Sequence, residues 1–273
     1  MSFEESYYEN TDLWVSKCFS LADKERYATI ADKLPENIQS LLDVGCGNGL
    51  FLKYLTHNKK KRYDRLCGTD RCTIALACVE AEKIQASIDS LPFIGDEFDM
   101  VSCMEVLEHL PQEIFISAIN ELSRVSRRYI LICVPYNENL RLLYTECTKC
   151  FCRFNPHYHL RKFDQNTMLN LFEAKGFRCL EVFYMHPKRI VPTQIEQTLQ
   201  FIGAVKRKIL RQNGPTMEKN AVCPACGYTL RGNNNTAQTG LDAPNSRAGM
   251  SIRSLFKIKS SWRWIGALYE RVS

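Results

Sequence analysis

Residues 41–49 read Leu41-Leu-Asp-Val-Gly-Cys-Gly-Asn-Gly49. Ser40-Leu-Leu-Asp-Val44 is apolar and strand-sized, and three alternate glycines follow it at once. Glycine lets a backbone turn sharply and approach a bound nucleotide without Cβ clashes. The spacing is G-x-G-x-G, which differs from the G-x-G-x-x-G of nicotinamide-binding loops. Residues 49–57 continue as a helix, and Arg65-Leu-Cys-Gly-Thr69 is a second strand. It runs into Asp70, 21 residues after Gly49. A carboxylate there can accept hydrogen bonds from both hydroxyls of a ribose. Strand, glycine loop, helix, strand and acid stand in register, which a structural glycine turn beside a surface aspartate does not require.

The same rhythm extends outward. Residues 21–36 read as a helix ending near Pro35, and residues 72–82 as a helix after the second strand. Gln85-Ala-Ser-Ile88 and Phe98-Asp-Met-Val-Ser-Cys103 are the next strands. A helix from about Pro111 to Val125, a strand from Tyr129 to Val134, a helix over 165–175 and a strand from Phe177 to Tyr184 follow. Strands alternating with helices predict a doubly wound, mostly parallel sheet, with ligands at the carboxyl ends of its strands. The end, Ser261-Trp-Arg-Trp-Ile-Gly-Ala-Leu-Tyr-Glu-Arg271, turns apolar again. It reads as a final strand returning to the sheet. The alternative is an amphipathic membrane-surface helix with Arg253, Lys257 and Lys259.

Hydrophobic residues make up 45% of the 273, charged residues 24%, and the net charge is +6. That balance suits a soluble globular chain able to bury a large core, and does not by itself call for nucleic acid. The basic run Lys59-Lys-Lys-Arg62 reads as a solvated loop. The acidic, polar N-terminus has no signal-peptide pattern, and no apolar run reaches membrane-span length. With an odd number of cysteines, 13, the expectation is a reducing cytosol with thiols rather than a disulfide framework.

Leu41–Gly49 resembles motif I of class I S-adenosylmethionine (SAM)-dependent methyltransferases. The resemblance extends to Asp70, Asp89-Ser-Leu-Pro-Phe93, Phe98-Asp-Met-Val101 and Glu105-Val-Leu-Glu-His109, with a core over about residues 38–135. It implies a seven-stranded Rossmann-like sheet. It also implies a SAM site formed by Asp43, Gly45, Cys46, Gly47, Gly49, Asp70, Ser87, Ile88, Met104 and Glu105. Ser87 departs from the family's usual aspartate at that position, while Ile88 supplies a backbone N–H to adenine. Ser102-Cys-Met-Glu-Val-Leu-Glu-His109 is similar to the ubiquinone-biosynthesis O-methyltransferases. It is also similar to small-RNA 2′-O-methyltransferases, where E-x-x-E-H and a later histidine bind metal; His157 and His159 are later histidines here.

Three readings of Glu105, Glu108 and His109 stand side by side. They position the cofactor, or His109 is the general base that deprotonates a hydroxyl, or the three groups hold a divalent cation. His159 is the second candidate base. Methyl transfer asks mainly for alignment of the nucleophile, because the sulfonium is a good leaving group. Tyr136, Asn137, Tyr144, His159 and Arg161 are candidate pocket residues, with Tyr7, Tyr8 and Trp14 closing from the N-terminal side.

Cys147-Thr-Lys-Cys150 and Cys223-Pro-Ala-Cys226-Gly are two C-x-x-C knuckles. Their four thiolates suit one tetrahedral, structural Zn²⁺. A redox pair or unliganded thiols are the alternatives, and Cys152, His157 or His159 can replace a ligand. Cys67, Cys103, Cys133 and Cys179 read as core residues. The expected organisation is one methyltransferase domain over 1–273. Insertions 141–160 and 188–260 would form a small zinc-ribbon-like lid. The expected activity is O-methylation of a small-molecule, lipid-linked or glycan hydroxyl. An RNA methyltransferase and an inactive SAM-fold scaffold binding a protein are the alternatives.

Overall fold

A computed structural model describes residues 20–58, 61–140, 144–190, 217, 221–228 and 259–272. The chain divides into two compact units. One comprises Met1–Leu142, Tyr158–His186 and Trp262–Ser273; the other comprises Leu143–His157 and Pro187–Ser261.

Helix α1 (Leu21–Lys33) starts at a capping box, in which Ser20 Oγ accepts from Asp23 N–H and Asp23 reaches back to Ser20 N–H. Two orphan amides of the first turn are thereby satisfied. Strand β1 (Ser40–Val44) is buried from Leu41 onward, as a central parallel strand covered on both faces must be. It pairs in parallel with β2 (Arg65–Asp70) on one side and β4 (Phe98–Met104) on the other. Helix α2 (Leu50–His57) leaves the glycine loop. Helix α3 (Thr73–Ala77) leads to β3 (Glu82–Gln85), and helix α4 (Gln112–Val125) leads to β5 (Ser126–Pro135). A short hairpin, β6 (Thr145–Glu146) and β7 (Arg153–Phe154), lies in the second unit. Helix α5 (Gln165–Asn170), β8 (Phe177–Ile190) and β9 (Lys259–Arg271) follow.

The main sheet has seven strands in the order β3-β2-β1-β4-β5-β9-β8. β9 runs antiparallel to β5, from Tyr129↔Glu270 to Pro135↔Trp264. The last segment is therefore a strand of the sheet, as its run of aromatic residues predicts; Arg253 and Lys257 lie outside the described residues. Alternation along the strands sends neighbours to opposite faces. Leu42, Val101 and Ile132 join one core with Ile119 and Leu122 of α4, while Leu41, Met100 and Leu131 join the other with Ile30 of α1 and Phe51 of α2.

Several boundaries differ from those expected. β3 ends at Gln85, because its parallel partner β2 ends at Asp70, opposite Gln85. Ala86 N–H still donates to Asp70 O at 3.1 Å, while Ser87 and Ile88 lie beyond the strand. α3 stops at Ala77, since the chain must turn before β3 opens at Glu82. β8 runs on to Ile190. Cys67, Cys103 and Cys133 are buried core thiols, Cys179 is half-buried, and every described cysteine is free. Among the described residues, no helix is long and apolar enough to cross a membrane.

Candidate functional site

The carboxyl ends of β1, β2 and β4 open into a cavity of about 550 Å³ within the first unit. Gly45 N–H and Cys46 N–H both donate to Thr69 O, at 2.7 and 2.9 Å, so the loop is stitched to the end of β2. Gly45 has φ +72°, and a Cβ there would stand 2.3 Å from Val106 Cγ2. Only glycine fits both demands. Gly47 N–H and Cys72 N–H donate to the two carboxylate oxygens of Asp70, at 2.8 and 2.9 Å. Each oxygen keeps further lone pairs for a ligand.

The expected cofactor residues Asp43, Gly45, Cys46, Gly47, Asp70, Ser87, Ile88, Met104 and Glu105 all line this cavity. Gly49 does not; it is the left-handed N-cap from which α2 starts. Tyr27, Arg26 and Trp264 also line the cavity, and motif reading does not reach them. Arg26 is buried with its guanidinium 4.6 Å from the Trp264 ring and 3.6 Å from Glu105 Oε2. With Arg71 and Arg263 it sets positive charge beside the acidic groups of the wall. Asp43 is buried and accepts from Ser102 Oγ at 2.7 Å. Burial pushes its carboxyl up to about 7, against the Ser102 bond. Burial also raises Asp70, opposed by the Cys72 and Gly47 amides. Glu105 takes a left-handed backbone, φ +57°, at the end of β4, a conformation held by its N–H to Cys133 O at 2.9 Å.

His109 lines the cavity, and His159 packs edge-on against it with ring centroids 4.8 Å apart. Glu108 is only 1% exposed. Neither of its carboxylate oxygens has a hydrogen-bond partner, and His109 Nε2 lies 3.9 Å from one of them. Burial, reinforced by Glu105, holds the Glu108 carboxyl well above its ordinary range. One ligand atom from each of Glu108, His109 and His159 falls within 4.8 Å of the others. The acidic partner in this cluster is thus Glu108 without Glu105, whose carboxylate faces Arg26. Of the expected pocket residues, Tyr136 packs on Tyr184, and Arg161 covers the Phe115 ring at 3.8 Å and donates to Leu110 O. Neither lines the cavity, nor do Asn137 and His159. Tyr144 belongs to the second unit. Tyr7, Tyr8 and Trp14 lie outside the described residues.

Within the second unit, Cys147, Cys150, Cys223 and Cys226 place their Sγ atoms within 4.8 Å of one another. Cys147–Cys226 and Cys150–Cys223 are 3.6 and 3.5 Å apart. Tetrahedral ligands on a zinc ion at about 2.3 Å stand roughly 3.8 Å apart, so the residues fit the ion. The two knuckles repeat one backbone plan. Phe151 N–H donates to Cys147 O and Gly227 N–H to Cys223 O, while Cys147 N–H donates to Cys152 O and Cys223 N–H to Tyr228 O. Although burial opposes it, the Cys150 and Lys149 amides bring the Cys147 thiol down to about 6, whereas burial raises Cys223 to about 12. Cys152 and His157 are outside the four-sulfur cluster.

A family model described as a methyltransferase domain matches residues 19–182. An uncharacterized protein of Methanocaldococcus jannaschii is 27% identical over 158 residues, 57% of this chain and 66% of that one. The mitochondrial ubiquinone biosynthesis O-methyltransferase of Saccharomyces cerevisiae is 34% identical over 100 residues, 33% of this chain and 31% of the yeast protein. The matches thus span just under two thirds of the archaeal relative and under a third of the yeast one. Among solved structures, a chain of the complex between the Haloferax volcanii Trm112 methyltransferase activator and its assigned methyltransferase superposes with TM-score 0.51. It is 15% identical, over 68% of this chain and 80% of that one. A Bacillus halodurans protein assigned as a methyltransferase gives TM-score 0.50 at 14% identity, over 91% and 98%. At these identities the structures speak for the fold alone. The family match takes in the glycine loop, both acidic strand ends and all of the Glu108–His109–His159 cluster, and the chain belongs to the class I SAM-dependent methyltransferase domains.

Proposed function

We propose that the chain methylates a hydroxyl of a small-molecule, lipid-linked or glycan acceptor. The observation that carries this reading is His109, which lines the cavity while Glu108 and His159 stand against it. The yeast relative, by its description an O-methyltransferase, agrees. SAM, when bound, supplies an electrophilic methyl group on a sulfonium. The Asp70 carboxylate suits ribose hydroxyls, Arg26 suits a carboxylate, and the Ile88 amide with Ser87 suits adenine. The Asp43 and Asp70 carboxylates suit the cationic part of the ligand.

Glu108, His109 and His159 would hold a divalent cation that binds the acceptor hydroxyl and lowers its pKa. An orphaned, buried carboxylate is costly unless something of opposite charge meets it. Without the cation, His109 alone takes the proton. Cys147, Cys150, Cys223 and Cys226 would hold one structural zinc, tying the two insertions into one unit.

The test incubates the enzyme with isotopically labelled SAM and metabolite extracts, and mass spectrometry locates the label. Label on oxygen is expected; label on nitrogen or carbon overturns the O-directed reading. His109→Ala should lower kcat roughly 10²–10⁴-fold with SAM affinity nearly unchanged. Unchanged turnover removes His109 from the mechanism. Metal analysis should find one zinc per chain, and less than about half an equivalent in protein never exposed to chelator removes the zinc site.

A further inference from the structure

Glu138 is absent from every motif in the sequence, yet its carboxylate oxygen Oε2 lies 2.5 Å from His159 Nδ1. The pair is shielded, with side chains 20% and 10% exposed. Two segments that are distant in the chain converge to make it. Glu138 follows the end of β5, where Tyr136 N–H donates to Arg263 O at 3.0 Å and Asn137 N–H donates to Phe163 O at 2.7 Å. Asn137 takes a left-handed backbone, φ +48°. Those bonds tether the two residues immediately before Glu138. On the other side, Leu160 N–H donates to Glu108 O at 2.7 Å, and Tyr158 is also left-handed, φ +56°. His159 is thus pinned between Glu138 and the backbone of Glu108.

A neutral imidazole carries one N–H and one lone pair. A carboxylate accepts, so the nitrogen it meets carries the proton. With Nδ1–H donated to Glu138, the lone pair of His159 sits on Nε2. Nε2 is then the nitrogen whose lone pair can serve the cluster with Glu108 and His109; one ligand atom from each of the three lies within 4.8 Å of the others. Histidines that bind metals commonly hold their second ring nitrogen on a carboxylate in this way, which fixes the tautomer and raises the basicity of the ligand nitrogen.

We propose that Glu138 is a positioning residue: it locks His159 in the Nδ1–H tautomer and aims Nε2 at Glu108 and His109. The ligand role of Nε2 rests on the cation reading above; the tautomer lock stands without it. The variants are Glu138→Ala, which removes the acceptor, and Glu138→Gln, which keeps a neutral one. Mn²⁺ is the probe, titrated into the whole chain and followed by the electron-spin resonance of the free ion. Histidine ¹⁵N spectra report the tautomer, and SAM titration checks that the cavity is intact.

Wild type should bind Mn²⁺ and show His159 protonated on Nδ1. Glu138→Ala should bind Mn²⁺ roughly 10–100-fold more weakly and lose that tautomer, with SAM affinity unchanged. Glu138→Gln should lie between the two. If Glu138→Ala keeps both the Mn²⁺ affinity and the tautomer of wild type, Glu138 is not a positioning residue. If wild type binds no Mn²⁺, the cation reading falls, and the ¹⁵N spectra alone decide the role of Glu138. Should the alanine variant fail to fold, Glu138→Gln carries the test, and its spectrum must then differ from that of wild type.

Discussion

At the residue scale, Asp43 joins the fold to the chemistry. It belongs to a strand buried on both faces and also faces the cavity. Its carboxyl is pushed up to about 7, chiefly by burial. A carboxyl raised in the folded state keeps its proton while the unfolded chain has already lost its own. Folding stability from this group is therefore present at acid pH and lost as pH rises from the ordinary carboxylate range through about 7. A cationic ligand reverses that preference, because it favours the carboxylate. SAM affinity should rise as pH passes upward through about 7, by up to about tenfold per unit below that point. Asp43→Asn should flatten the dependence and weaken binding at pH 8. Calorimetric titration at pH 6, 7 and 8 measures both chains. A wild-type affinity with the same pH profile as Asp43→Asn would remove Asp43 from this role.

At the scale of elements, the two knuckles share a hydrogen-bond plan, and the residue after the second cysteine differs between them. Gly227 and Phe151 each follow the second cysteine of their pair, and each is left-handed, with φ +67° and +60°. The plan therefore imposes a conformation that costs an ordinary side chain about 1–2 kcal/mol, and Phe151 bears that cost. Nothing lies within 4 Å of a Cβ built on Gly227, so a substitution there tests backbone strain without a clash. Gly227→Val should weaken zinc binding about tenfold, roughly 1–2 kcal/mol. Phe151→Gly should not weaken it, since relief of strain offsets the added freedom of the unfolded chain. Competition with a chromophoric chelator measures both. The same contrast between local and distant signals governs how much of the fold is legible in the sequence. β1, β4 and β5 are mostly apolar and mostly buried, so their burial dictates their state. β3 has a neighbour on one side only, and it lies over 82–85 rather than the expected 85–88, because its register is set by β2, which its own residues do not encode. α3 reads long for the same reason: its end is set by the start of β3.

For the whole molecule, the site was legible where a motif is contiguous and hidden where it is assembled by topology. The glycine loop, Asp70 and Glu108-His109 lie at or just after the carboxyl ends of β1, β2 and β4. Arg26 arrives from α1, Trp264 from the last strand, and Glu138 from the turn after β5; each lacks a local pattern that would mark it. The same topology gives each unit its own ligand set. The first contains every cavity residue, whereas the second contains all four knuckle cysteines, although the chain passes between units at Leu142, His157, His186 and Ser261. A ligand that binds only folded protein stabilises it by RT ln(1 + [L]/Kd), about 2.7 kcal/mol at 100 times Kd. SAM should therefore raise the melting of the first unit by roughly 5–11 °C. Zinc removal should strike the second, because no other cross-link joins its two insertions among the described cysteines. Scanning calorimetry with SAM alone, with a strong chelator and thiol-blocking reagent, and with all three separates the effects. The expected outcome is a zinc-dependent component that is lost on chelation while the SAM-induced rise persists. Loss of the SAM-induced rise on chelation would mean instead that the cavity depends on the metal, and the two units would have to be treated as one cooperative structure.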